Sequence, residues 1–489
     1  MSKRDRQTSS WLSGLLAVSF FSLSLAILRA ADEPPPAKGP EGIWQGTLKI
    51  QGVLELLLVF KIGKEESGAL KATLDSIDQG AKDIAVDEVR FEEGELTLTM
   101  KKIGASFTGK MNADAAEVVG KFKQGGQAFP LTIKRVDKEP DVARPQEPKR
   151  PLPYAEEEVT YKNSAAEITL AGTLTLPRAK GRVPAVVLVT GSGAQDRDES
   201  LLGHKPFLVL ADHLTRRGIA VLRVDDRGVG GSTGSTSKST TDDFVGDVLE
   251  GVSFLMHRPE IDPRQIGLIG HSEGGLVAPL AAVRSTDVAF IVLMAGTGVP
   301  GDEIVYRQGE LIARATGESD AAIAANRKTQ EQTFAVVKDE SDPTKAEARL
   351  REILTEALAA GVAKDDADGE ALKGKIEAQV QMVISPWFRY FLSYDPRVAL
   401  AKVTCPVLVL NGEKDLQVDP RQNLPEIEKA LKAGGNQQYI VKEFPGLNHL
   451  FQTCQTGSPA EYAKIDETIA PVVLETIADW IIERNQAGK

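Results

Sequence analysis

At 489 residues the chain is long enough for two or three folding units, and an apolar content of 42% is that of a globular protein. A formal charge of −11 excludes a phosphate-tracking surface, because there is no net positive field to exchange for released counterions. Nucleic acid is therefore not an expected partner.

Residues 1–30 open on Lys3, Arg4 and Arg6 and continue as an apolar stretch from Trp11 to Leu28, the layout of an export signal. Cleavage after Ala30 is expected, with the periplasm or the extracellular space as destination and no membrane span left after processing. The other reading is an uncleaved anchor, since the stretch is nearly long enough to cross a bilayer. Processing would remove four positive charges and one negative, leaving about −14 by the same counting. Cys405 and Cys454 are the only cysteines, too few for a disulfide framework, and one bridge between them would have to join opposite edges of a sheet.

Pro-rich, charged segments at 31–40 and 138–153 read as extended linkers. Between them, at 41–137, GIWQGTLKI, LELLLVFKI, ELTLTMKKI, SFTGKM, EVVGKF and FPLTIKRV are short runs separated by Gly, Asp and Asn. They predict a small antiparallel β domain, a barrel or a sandwich. It holds no histidine or cysteine and therefore no obvious chemistry.

From 154 to 489 the pattern changes. EVTYKN and EITLAGTLTLP predict a hairpin; then VPAVVLVT, IAVLRVDD, QIGLIGH, VAFIVLMAG, CPVLVLNG and QQYIVKEF alternate with helical stretches. Strands with almost no polar alternation must be covered on both faces, so this is expected to be an α/β domain with a mostly parallel, doubly wound sheet. Alternation breaks at about 301–400, where Ala, Glu, Lys and Gln dominate. A helical insertion of that length is no ordinary connection, and it can lie over the C-terminal edge of the strands, where ligands bind in open α/β sheets.

Ser272 in GLIGHSEGG follows a buried-strand signal and precedes the helical GLVAPLAAVRS. A strand turning sharply into a helix strains the residue between them, which is tolerable only if the residues two before and two after are small; Gly270 and Gly274 are those residues. Such a turn lifts the hydroxyl above the sheet, which makes Ser272 a candidate nucleophile rather than a simple N-cap.

A serine needs a general base. His271 adjoins the serine and should point away from it, while His204, His213 and His257 suit surface or packing roles. His449, in FPGLNHLF just past the last strand, is the candidate base. The acid should follow the strand CPVLVLNG, which offers Glu413, Asp415 and Asp419; Asp415 in the tight turn is favoured, and Asp419, ahead of Pro420, looks like a helix N-cap. The loop GSGAQDRDES should supply one oxyanion donor, the Ser192 amide, beside that of Glu273. Its spacing does not fit a phosphate-binding loop, and neither a cofactor nor a metal is implied. VDDRGVGGSTG is expected to brace the neighbouring loop.

Together, GSGAQDRDE at 191–199, DDRGVGGS at 225–232, GHSEGG at 270–275 and GLNHLF at 446–451 resemble the α/β-hydrolase superfamily, and within it the exported bacterial serine esterases. The resemblance spans roughly 155–485, and the β domain is similar to the module often fused to such hydrolases. It implies a metal-independent carboxylesterase acting on a small-molecule ester through an acyl-enzyme. One departure is Thr190-Gly191, where that family usually has His-Gly; the amide donors survive, but the bracing must differ. A serine peptidase related to prolyl oligopeptidases is the alternative, disfavoured because those carry a large propeller, and a binding protein with an inactive core is a third reading. In the insertion, SPWFRYFLSYDP gathers aromatics, among which Trp387 and Phe388 are expected to shape an acyl pocket unless they simply pack the insertion's own core. Oligomeric state is left open.

Overall fold

The structure, a computed structural model, describes residues 39–50, 54–65, 67–77, 81–140, 144–359 and 369–487. The expected export signal lies outside these residues.

Nine strands build the first sheet: β1 (Gly42–Ile50), β2 (Leu54–Lys64), β3 (Leu70–Ser76), β4 (Ala81–Val86), β5 (Glu88–Glu92), β6 (Glu95–Met100), β7 (Ala105–Met111), β8 (Glu117–Gln124) and β9 (Gln127–Val136). Their order is β4-β3-β2-β1-β9-β8-β7-β6-β5, with antiparallel neighbours throughout. Strands β3 and β4 approach β5 and β6, so the sheet curls around its own core of Trp44, Phe60, Leu96, Leu98, Met100 and Phe107. Alternation puts these side chains inside and Lys, Glu and Thr outside. Six strand runs were legible in the sequence and nine strands form. The additional ones, LKATLDS, AKDIAV and EVRFE, break up their apolar residues with charges: AKDIAV and EVRFE are the two edge strands with their charges exposed, and LKATLDS buries Asp75.

The segment expected to be a free linker is docked in its second half. Arg144 donates to the carbonyls of Leu202, Gly203, Ala463 and Ile465, and the Gln146 amide bonds Thr468 and Ile469.

The second sheet holds β10 (Ala155–Asn163), β11 (Ile168–Leu176), β12 (Val183–Val189), β13 (Ala220–Val224), β14 (Ile261–His271), β15 (Phe290–Met294), β16 (Val407–Gly412) and β17 (Tyr439–Phe444). The order is β10-β11-β13-β12-β14-β15-β16-β17: β10 and β11 form an antiparallel hairpin, β11 runs antiparallel to β13, and the rest are parallel. Helices α1 (Pro206–Arg216), α2 (Thr241–Met256) and α3 (Gly274–Arg284) connect the first of these strands. Between β15 and β16 come α4 (Gly301–Ala315), α5 (Asp320–Asp339), α6 (Pro343–Ala359), α7 (Gly369–Val383), α8 (Pro386–Ser393) and α9 (Arg397–Leu400); α10 (Pro420–Ala433) and α11 (Pro471–Ala487) complete the chain. Apolar cores lie on both faces of the parallel sheet, as its uninterrupted apolar strands require. This is a mostly parallel, doubly wound α/β sheet preceded by an antiparallel β sheet. Parallel strands have one consequence for chemistry: the loops after β12, β14, β16 and β17 all emerge at the same edge, beneath α4–α8.

Candidate active site

The apolar strand β14 ends at His271, and the next residue, Ser272, sits at φ +52°, a left-handed conformation uncommon for a side-chain-bearing residue. Its amide is held by the Met294 carbonyl at 2.8 Å. Both flanking glycines are sterically required. A Cβ on Gly270 would come within 2.0 Å of the Gly274 carbonyl oxygen, and one on Gly274 within 2.1 Å of that of Val189. The chain therefore holds Ser272 on a sharp elbow, and the residue lines a cavity of about 860 Å³ under the helical insertion.

Asp415 lies in the turn after β16 and is 1% exposed. Its Oδ1 accepts the amides of Gln417 and Val418 at 2.8 and 2.9 Å, which fixes the carboxylate's orientation. Its Oδ2 is 2.8 Å from His449 Nδ1. A carboxylate there requires the proton on Nδ1 and leaves Nε2 with its lone pair, the form a general base needs. The His449 loop after β17 is itself fixed, because the buried Asn448 side chain accepts the amides of Leu450 and Gln452.

The other two acids are engaged elsewhere. Glu413 accepts the Gly446 amide. Asp419 caps α10 by accepting the Arg421 amide and pairs with Arg307 of α4 at 2.7 Å. Asp419→Asn keeps a cap oxygen for the Arg421 amide but loses the charge opposite Arg307, and is expected to lower stability by about 1 kcal/mol, seen as a lower melting temperature, with kcat near that of the parent. A large fall in kcat with an unchanged melt would contradict that assignment.

Ser192 and Glu273 also reach the cavity wall, and among the described residues neither backbone amide donates to a protein acceptor. The glycines of the loop let its backbone approach the elbow: a Cβ on Gly191 would stand 3.3 Å from that of Ser272. Glu199 Oε1 accepts both the Gly191 amide at 2.7 Å and His271 Nδ1 at 2.9 Å. His271 Nε2 meets the His449 carbonyl at 3.1 Å, and the two imidazoles lie 4.8 Å apart. Burial works against a charged His271, but the Glu199 carboxylate and the His449 carbonyl outweigh it and raise the imidazole's pKa. Only the imidazolium can donate to both acceptors. His271 thus points away from the serine, as expected, and ties three loops of the site together.

Thr190, at the departure from the usual His-Gly, donates to Asp226 Oδ1 at 2.7 Å, and Asp226 Oδ2 accepts the Gln195 amide at 2.9 Å. The Asp-Arg-Gly segment therefore braces the loop after β12. Arg197 is held by both oxygens of Asp225, and Arg227 by Asp247 and Ser239. Burial pushes Asp226 up to about 7, helped by the charges of Glu199 and Glu273 and opposed by the two hydrogen bonds. The native state therefore holds this proton more tightly than the unfolded chain. The resulting stabilisation is complete below the ordinary carboxyl range and is lost as pH rises toward about 7. Asp226→Asn cannot ionise, so its melting temperature relative to the parent should rise between about pH 4 and about pH 7 and level off above that. A difference that stays flat across that interval would contradict the burial argument.

Trp387 and Phe388 both line the cavity. Phe388 also belongs to the buried core of the insertion with Phe334, Leu350 and Leu392, so pocket wall and core packing coincide in one residue. Trp387 stacks on Phe391 with centroids 5.4 Å apart, and its indole N–H donates to Glu273 Oε1 at 2.7 Å. Glu273 Oε1 also accepts from Thr241 Oγ1 at 2.7 Å. Burial raises the pKa of this carboxyl, and the two donors oppose that shift. The Glu273 side chain therefore joins α8 and α2 to the elbow, a role sequence reasoning missed, as it missed those of Glu199 and His271. Their presence inside the GSGAQDRDE and GHSEGG motifs was the available signal. His204, assigned a surface or packing role, is buried and bonds Thr468 and Tyr462. Both cysteines are free.

The sequence model of the family described as "Alpha/beta hydrolase family" matches residues 186–465. Esterase EstD of Thermotoga maritima is 26% identical over 366 residues, 74% of this chain and 74% of that protein. Thiohydrolase aneE of Aspergillus aculeatus is 29% identical over 185 residues, 36% of this chain and 54% of that protein. Among solved structures, Est1E from Butyrivibrio proteoclasticus with bound ferulic acid has a TM-score of 0.40 at 19% identity, covering 68% of this chain and 100% of that one.

Proposed function

Because the chain belongs to the alpha/beta hydrolase family, we propose that it is a serine carboxylesterase working through an acyl-enzyme. The observation that carries this reading is the pairing of Asp415 with His449 at 2.8 Å, at the same sheet edge as a serine held at φ +52°. Ser272 Oγ attacks the ester carbonyl as His449 Nε2 takes its proton. The oxyanion is met by the amides of Ser192 and Glu273. The tetrahedral adduct collapses, the C–O bond to the alcohol breaks, and the imidazolium returns its proton to the leaving oxygen. Water then repeats the sequence on the acyl-enzyme and releases the acid. Asp415 keeps the proton on Nδ1 and stabilises the imidazolium.

The esterase relative supports ester chemistry, and the thiohydrolase relative brings thioesters into the set worth assaying. The protein should be labelled by a fluorophosphonate and should turn over p-nitrophenyl acetate far faster than a peptide p-nitroanilide. Amide turnover equal to ester turnover would replace this reading with the peptidase one, and absence of both labelling and turnover would leave a binding protein. For location we propose export, on the strength of residues 1–30. N-terminal sequencing of the protein recovered from its host should begin at Ala31, and recovery of an intact Met1 would overturn processing.

A further inference from the structure

The cavity wall narrows the substrate class, an argument that rests on the esterase reading above. Helix α5 contributes one side of the wall through Ala322, Ala325, Asn326, Thr329, Gln330 and Thr333. These positions follow the i, i+3, i+4, i+7, i+8, i+11 spacing of a single helix face. A face that packs into a core carries large apolar residues. Here those six residues are each small or uncharged hydrogen-bonders, and the one large apolar residue that α5 adds to the wall, Phe334, sits at its buried end beside Thr333. Arg327, Lys328 and Glu331 project from the opposite side and are exposed. Along the lining face, Ala322, Ala325 and Asn326 are exposed, Thr329 and Gln330 half-buried, and Thr333 buried. Thr333 is 4% exposed and its hydroxyl has no hydrogen-bond partner. Such a hydroxyl is free to pair with a water or a ligand oxygen in the cavity.

Charge points the same way. Among the described residues, Glu273 is the only ionisable side chain on the cavity wall, and it already accepts from Thr241 and Trp387. Among the described residues, none of those on the cavity wall is a lysine, an arginine or a histidine. An anionic substrate would lose its hydration with no cation in exchange and would meet Glu273 beside the reacting carbonyl. A cationic one would find a single carboxylate, whose Oε1 already accepts from two donors and whose burial raises its pKa. At about 860 Å³ the space is in the upper part of the range of about 300–1,000 Å³ that drug-sized ligands occupy. The acyl arm stays bonded to Ser272 between the two half-reactions while the alcohol departs, so the space beside Ser272 is assigned to the acyl arm.

We propose that the substrate is a large uncharged ester whose acyl arm carries neutral oxygen functions, such as hydroxyl, ether or keto groups, on an apolar skeleton, and that the α5 face reads those oxygens. The test uses the full chain and four umbelliferyl esters with acyl arms matched in length: plain hydrocarbon, oxygen-bearing, carboxylate-ended and ammonium-ended. The oxygen-bearing ester should have the highest kcat/KM, and both neutral esters should exceed both charged ones by about tenfold or more. In the Thr329→Val/Gln330→Leu variant the ratio of oxygen-bearing to hydrocarbon ester should fall to one or below. Thr329→Val alone reads the same ratio should the double variant not fold. A charged ester within tenfold of the neutral pair, or an unchanged ratio in the folded variants, overturns the proposal. A wild-type protein that turns over p-nitrophenyl acetate but none of these preferences defeats the substrate class alone. One that neither hydrolyses an ester nor takes a fluorophosphonate label defeats the esterase reading beneath it.

Discussion

Ser272→Ala should lower kcat for ester hydrolysis by about 10⁶ and abolish fluorophosphonate labelling, with the fold intact. Removing the hydroxyl removes the atom that forms the acyl bond, and no neighbouring side chain on the elbow can replace it: His271 is held by Glu199 and the His449 carbonyl, and the Glu273 carboxyl by Thr241 and Trp387. Alanine at φ +52° is as strained as serine, so the melting temperature should barely move. Ser272→Gly offers a control on the elbow itself. Glycine populates that region without steric cost, so this variant should be inactive yet melt higher than Ser272→Ala. Substantial turnover by the alanine variant, or labelling at another residue, would remove Ser272 from the mechanism.

Asp415→Asn should lower kcat by about 10³–10⁴ with little change in KM. The reason is the pair of amides on Oδ1. Gln417 and Val418 both donate to that oxygen, so an asparagine keeps its carbonyl there and turns its NH₂ toward His449. Nδ1 must then accept, the proton moves to Nε2, and the imidazole can no longer take the serine proton. Nucleophile and oxyanion donors stay in place, which is why binding survives. Steady-state kinetics on this variant beside Asp419→Asn separates the two carboxylates. A near-normal kcat for Asp415→Asn would mean that the 2.8 Å contact with His449 is structural and that the acid lies elsewhere.

Much of this was legible before any coordinates. Apolar strands without polar alternation can only be buried on both faces, so the run of strands with intervening helices implied a parallel sheet. Glycines flanking Ser272 implied a strained strand-to-helix turn, and the clash at Gly270 with the Gly274 carbonyl follows from that local geometry, whereas the one at Gly274 is with Val189 of the neighbouring strand β12. His449 could be found because five histidines can be weighed one by one. Each of these inferences concerns residues close in sequence, or a pattern repeated along one element.

The sequence by itself therefore determined the two sheets, the helical insertion and the candidate residues on the elbow and its flanking loops. Tertiary structure alone decided which groups hold them. Glu199 reaches His271 across 72 positions, Trp387 reaches Glu273 across 114, and Arg144 reaches the Ile465 carbonyl across 321. Such contacts leave no periodicity in the chain, because they form only once parallel strands bring the loops after β12, β14, β16 and β17 to one edge and the helices from α4 to α8 settle over it. The three candidate carboxylates are told apart the same way. Glu413, Asp415 and Asp419 differ little as residues, and only folding places the Asp415 carboxylate against His449 while the other two meet Gly446 and the start of α10.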